Sequence, residues 1–184
     1  MEIKEDPNTF QRQAAGERAP GRSNVPEVAG EGGKPKPRTP ERERKSWREK
    51  LEDDKGLPRI IRLTPAQEKR WGRGTMVIPA PREVDAAIRG IRKGATATVN
   101  DLRVRLAKSH GTDLACPITT GIFAWIAAHA AAEDEAAGRR RVTPWWRVLK
   151  TNGKLNPRYP GGVDEQRRRL EAEGHAVAGD RVVP

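Results

Sequence analysis

Apolar positions recur at helical spacing in three stretches of the second half of the chain. Val84, Ala87, Ile88 and Ile91 follow the i, i+3, i+4, i+7 rule, which predicts a helix from about Glu83 to Arg92. Leu102 and Leu106 share a face behind Thr98, an N-cap supported by Asp101 three residues on, with Gly111 at or just past the end. Pro117 opens a third, alanine-rich helix that stops near Gly138, with Ile118, Ile122, Trp125, Ile126 and His129 on one face. A helix, a short polar turn and a second helix fit a helix-turn-helix and a plain helical hairpin equally well.

The flanks carry shorter signals. "SWREKLEDD" pairs Ser46 with Glu49 as a capping box, and "TPAQEKRWG" repeats the device with Thr64, Pro65, Gln67 and a stop at Gly72. "RIIRL" between them reads as extended, and "TMVIPAP" (75–81) as a short strand ended by prolines. After "GRRR" the pattern mixes β-formers with turn residues. Asn152-Gly153 is a strong hairpin signal and predicts a β wing beside the helices. A last helix is expected from about Asp164 to Glu173, with Leu170 inward and Gly174 as stop. "HAVAGDRVV" then offers a short terminal strand pair.

Residues 1–45 have no such periodicity. They are rich in Gly, Pro and charge, with Phe10 as the sole aromatic, and cannot bury enough apolar surface to offset the entropy of ordering. The expected organisation is therefore a disordered basic tail (1–45), a capped arm (46–74), a compact domain (75–178) and a C-terminal end (179–184). The fold class is mainly α with a small β wing, a winged helix-turn-helix.

Charge sharpens the picture. The 184 residues carry a formal +11, and the sequence pI is near 10.4. The tail has ten Lys/Arg against eight Asp/Glu, leaving +9 to the remainder, so the basic character belongs to the folded part. Such a balance points to nucleic acid as partner. Candidate phosphate contacts are Arg139, Arg140 and Arg141 after the third helix, Lys150 and Lys154 on the wing, Arg158, and Arg167 to Arg169 on the last helix. The lone Cys116 excludes an internal disulfide, and the three histidines have no metal-site spacing, so no metal or cofactor is expected. The single cysteine fits a reducing cytoplasm, where a nucleoid-associated protein is expected; no apolar run approaches the ~18 residues of a membrane span, and the first ten residues lack the apolar core of a secretory signal.

The most specific stretch is "PWWRVLKTNGKLNPRYPGGVDEQRRRLEAEGH", Pro144 to His175. It resembles the C-terminal domain of the methylguanine-DNA methyltransferases, which read Pro-Cys-His-Arg-Val, a Ser/Gly turn, Tyr-x-Gly-Gly and Leu-Leu-x-x-Glu-Gly. Pro144, Arg147, Val148, Gly153, Tyr159, Gly161, Gly162, Leu170, Glu173 and Gly174 match. "GATATVNDLRVRLA" resembles the helix upstream, and "TTGIFAWIAAH" sits where the family's recognition helix lies, so the resemblance covers roughly 75–178.

That family transfers an alkyl group from guanine to a cysteine thiolate, activated by a histidine that a glutamate orients. Here those positions hold Trp145 and Trp146, and Glu173 is left with nothing to orient. An indole has no basic lone pair and donates only through its N–H. Tryptophan in place of the cysteine resembles the alkyltransferase-like proteins, a non-enzymatic branch that binds alkylated guanine and passes the lesion to repair proteins. The resemblance implies double-stranded, alkylated DNA and a repair protein as partners. It implies a DNA- and base-contacting set of Trp145, Trp146, Arg147, Tyr159, Gly161, Gly162, Thr119, Thr120, Trp125, Arg139, Arg140, Lys150 and Lys154. Trp145 is expected to contact the base and Trp146 to pack.

Two departures qualify the resemblance. Cys116 to Ala137 contains no arginine or lysine, so the helix lacks the family's hole-filling arginine and leaves Phe123 or Trp125 as wedge or core. The family's phosphate-rotating tyrosine falls near Val99 or Asn100. Two other readings stand beside the leading one: a winged-helix regulator or nucleoid protein without lesion specificity, and an alkyltransferase with Cys116 as acceptor.

Overall fold

Leu102, Leu106, Phe123 and Trp145 are all buried in one apolar core, and the elements around it follow from keeping them there. The computed structural model describes residues 45–183, so the expected tail lies outside the described residues apart from Lys45. The described chain runs α1 (Trp47–Glu52), β1 (Arg59–Arg62), α2 (Pro65–Trp71), β2 (Thr75–Ile78), α3 (Pro81–Arg89), β3 (Ala97–Thr98), α4 (Val99–Ser109), β4 (Leu114–Ala115), α5 (Pro117–Ala136), β5 (Val148–Leu149), α6 (Gly162–Glu171), β6 (Ala176–Ala178) and β7 (Arg181–Val183). Helices dominate and the sheets are small. Among the described residues no helix is long and apolar enough to cross a membrane.

The caps read from sequence are in place. Glu49 N donates to Ser46 Oγ (3.1 Å), and Ser46 N donates back to Glu49 Oε2 (2.7 Å). Thr98 and Asp101 close α4 in the same way, at 3.2 and 2.7 Å. The first core helix starts two residues earlier than expected, because Pro81 serves as its first position and Glu83 accepts from Ala80 N (2.8 Å).

The arm is part of the compact unit. β1 pairs antiparallel with β2, and β2 pairs parallel with β4, giving the order β1-β2-β4. α1 lies along α5. Trp47 stacks on His129 (centroids 4.5 Å, 25° between planes) and meets Trp125 edge-on at 4.5 Å. Glu133 of α5 accepts from the backbone N–H groups of Trp47 and Arg48, both at 2.9 Å, so a carboxylate neutralises the start of α1.

The wing differs from expectation. The turn itself forms: Asn152 (φ 62°) and Gly153 (φ 71°) are left-handed, and Lys150 N donates to Lys154 O at 2.7 Å. Its flanks do not pair as a two-stranded hairpin. β5 pairs parallel with β3, whereas Lys154 bridges to Arg181 and Leu155 N donates to Asp180 O (2.7 Å). The turn is local, but the partners of its two arms are chosen by tertiary packing. The terminal hairpin β6–β7 also belongs to this packing. Between α4 and α5 the connection carries β4 rather than a bare polar turn.

Replacing Trp47 with alanine removes the clamp between arm and α5. The expected loss is about 2–3 kcal/mol, scaled down from a fully buried Trp, read as a lower urea midpoint with α1 melting first in hydrogen exchange.

Candidate nucleic-acid interface and the twin-tryptophan turn

Thr143 to Leu149 crosses the centre of the domain. Thr143 is buried and donates to Asp85 Oδ1 of α3 (2.5 Å), fixing where the chain enters. Trp145 N donates to Thr143 O (2.8 Å) and Arg147 N to Pro144 O (3.1 Å), winding Trp145–Arg147 into one 3₁₀ turn before β5. Gln166 of α6, fully buried, holds the turn from beneath: its amide donates to Trp146 O (3.0 Å) and Val148 O (2.9 Å). Its carbonyl accepts from Asn156 N (2.7 Å), so one side chain satisfies three backbone groups. The sequence signal for Gln166 was its place four residues before Leu170, on the inward face of α6.

Glu173 gathers the turn from the other side. Trp146 Nε1 donates to Glu173 Oε1 at 2.9 Å. Arg147 donates from Nη2 to Oε1 (2.7 Å) and from Nε to Oε2 (2.9 Å), and its Nη1 donates to Ile91 O (2.6 Å). Gly94 N adds a longer contact at 3.3 Å. The expectation that Glu173 has nothing to orient is therefore corrected, because an indole N–H donates as an imidazole N–H does. Burial pushes the Glu173 carboxyl upward, but the hydrogen bonds from Arg147, Trp146 and Gly94 prevail and hold it below the usual glutamate range.

The two tryptophans divide differently from expectation. Trp145 is 1% exposed, edge-on to Trp146 (5.9 Å) and Tyr159 (5.7 Å), and its Nε1 has no partner among the described residues. Trp146 is half-buried and reaches the surface. Arg169 lies over both rings, 5.2 Å from Trp145 and 4.8 Å from Trp146. Tyr159 is buried, which pushes its phenol upward and keeps it protonated. Gly161 (φ 70°) makes the turn into α6, where a Cβ would meet Glu165 Cβ at 2.5 Å; Gly162 (φ 67°) follows it. Both glycines shape backbone.

The remaining expected contacts fall in separate places. Thr120 is buried, donating to Cys116 O (2.7 Å), and so offers no surface contact; Thr119 beside it is half-buried with its Oγ1 enclosed and unpartnered. Phe123 is core. Trp125 packs on Trp47 and donates to Arg158 O (2.9 Å). Arg147 spends all three nitrogens inside the fold. Arg167 pairs with Asp164, Arg168 with Glu165, and Arg169 with Glu135 and Glu165, so that helix is largely self-neutralised. Lys154 meets Asp180 (3.2 Å) and Arg139 meets Asp134 (3.0 Å). Lys150 and Arg158 are exposed without an acidic partner among the described residues.

Arg140 and Arg141 join Trp146 in a cleft of about 370 Å³. Val142 and Pro144 complete its apolar side, with Arg89, Arg147 and Glu135 at its edges. Cys116 is 7% exposed and packs with Leu63 and Met76.

Glu173→Gln leaves the Arg147 guanidinium buried without its counter-charge, and should cost about 3–5 kcal/mol near pH 7. Because the folded-state pKa of Glu173 is depressed, its contribution is present above the ordinary glutamate range and fades as pH falls through the folded value. The gap between wild type and variant in urea titrations should therefore close toward acid pH. Trp145→Ala should cost about 3–5 kcal/mol through its cavity, seen as a large drop in melting temperature.

No protein-family model matches the chain, and no curated protein matches it.

Proposed function

We propose that this chain binds duplex DNA without altering it chemically, on a winged-helix-like scaffold, as a relative of the alkyltransferase-like proteins, and that it distinguishes alkylated guanine and presents it to a repair partner. The carrying observation is the bond from Trp146 Nε1 to Glu173 Oε1. A glutamate facing a ring N–H at that position is what the resemblance to the methylguanine-DNA methyltransferases leads one to expect, with indole in place of imidazole. Neither indole can act as nucleophile or base. The buried Cys116 thiol, packed against Leu63 and Met76, offers no open acceptor.

The lesion reading draws on Trp145. A buried donor without a partner costs about 1–3 kcal/mol, and an acceptor on an extruded base would satisfy it. Extrusion is cheapest for a damaged base. Arg158 and Lys150, exposed and without an acidic partner among the described residues, are the groups available to duplex phosphates. The burial of Trp145 favours a second reading, a nucleic-acid binder without lesion specificity, because a base reaches that indole only if the turn opens.

Duplexes that differ by one alkylated guanine separate the two. Affinity for both should fall about 10- to 100-fold between 50 and 200 mM salt. The alkylated duplex should bind at least about tenfold tighter. Trp145→Phe, which keeps a ring and removes the N–H, should erase that preference and spare plain duplex binding. Equal affinity for both duplexes leaves the second reading standing, and no binding to either sinks both. A mass gain on Cys116 after incubation with alkylated DNA would overturn the non-enzymatic assignment.

A further inference from the structure

The cleft beside Trp146 lies at the far end of α5 from Thr119. Twenty helical residues set those ends about 30 Å apart. The acids around the cleft are already engaged. Glu135 is held by both Arg169 Nη groups (2.7 and 2.8 Å), Asp134 by Arg48 and Arg139, and Glu133 by the first N–H groups of α1. Glu173 is held by Arg147 and Asp85 by Arg89 (2.8 Å). Arg140 and Arg141 are the exception: both are exposed, with no acidic partner among the described residues. The two guanidinium forks, without an acidic partner among the described residues, thus line one recess together with Val142, Pro144 and half-buried Trp146.

We infer that this cleft docks an acidic segment of a protein partner, with carboxylates on Arg140 and Arg141 and an apolar side chain seated on Val142, Pro144 and Trp146. Guanidinium forks match carboxylates bidentately. An apolar anchor inside a charged rim is the usual anatomy of a small protein interface. A DNA backbone would use the arginines through its phosphates and leave the apolar floor wet. The inference does not depend on the lesion reading.

The test uses the full chain and a fluorescent Glu-Glu-Leu-Glu-Glu peptide, followed by anisotropy. Binding should be saturable, absent for the Lys-Lys-Leu-Lys-Lys control, and about fivefold weaker when leucine becomes serine. The Arg140→Ala/Arg141→Ala variant should weaken it at least about tenfold with an unchanged melting temperature, since both side chains are exposed. Saturating duplex DNA should leave the peptide bound. Unaltered peptide binding in the double variant overturns the inference. So does displacement of the peptide by duplex together with an equal loss of duplex affinity in that variant, an outcome that assigns the arginines to DNA.

Discussion

The carboxylate of Glu173 is the constraint on which the centre of this protein depends. It stands just beyond α6, yet it binds the side chains of Trp146 and Arg147 in the 3₁₀ turn and touches the backbone at Gly94. Arg147 then reaches Ile91 O just past α3. One acid thus joins three segments distant in sequence. A buried charge pair is costly to assemble and costlier to break, so its value here is geometric. It allows one register of the turn, and that register sends Trp145 into the core and Trp146 to the rim. Gln166 enforces the same register from the opposite side through neutral hydrogen bonds.

Much of the local structure was legible in the sequence because local rules governed it. Ser46, Thr64, Thr98 and Pro117 begin helices through capping and proline chemistry that needs no distant partner. Asn152 and Gly153 take left-handed backbone for equally local reasons. The pairing of β5 with β3, and of Lys154 with Arg181, was not legible, because a strand of two residues has no pattern of its own. The docking of α1 was hidden for a similar reason. Trp47 and Glu133 lie 86 positions apart, and nothing in either neighbourhood announces the other.

The candidate site was legible as a cluster of residues and less so in what each of them does. Pro144, Arg147, Tyr159 and Glu173, singled out from one stretch of sequence, come together around the 3₁₀ turn. The roles shifted once burial was known. Arg147, which resembled a DNA contact, is an internal strut, and Tyr159 is core. The arginines of α6 looked like a basic face, but acids one helical turn away, at 164 and 165, quench them. Sequence counts charge; only packing shows which charges remain unspent. Arg140 and Arg141 survive that subtraction because the acids near them already have other partners.

The antiparallel pairing of β1 with β2 has a consequence for how the chain behaves in pieces. β2 carries Met76 and Val77, both buried, and β1 covers its outer edge from Arg59 to Arg62. A fragment begun at residue 75, the expected start of the compact domain, would bare that edge and its unpaired amides. Open edges of this kind recruit further strands. With β1 in place the outer edge of the sheet is instead a strand that carries Arg59 and Arg62, and charge of that kind discourages a further strand from pairing.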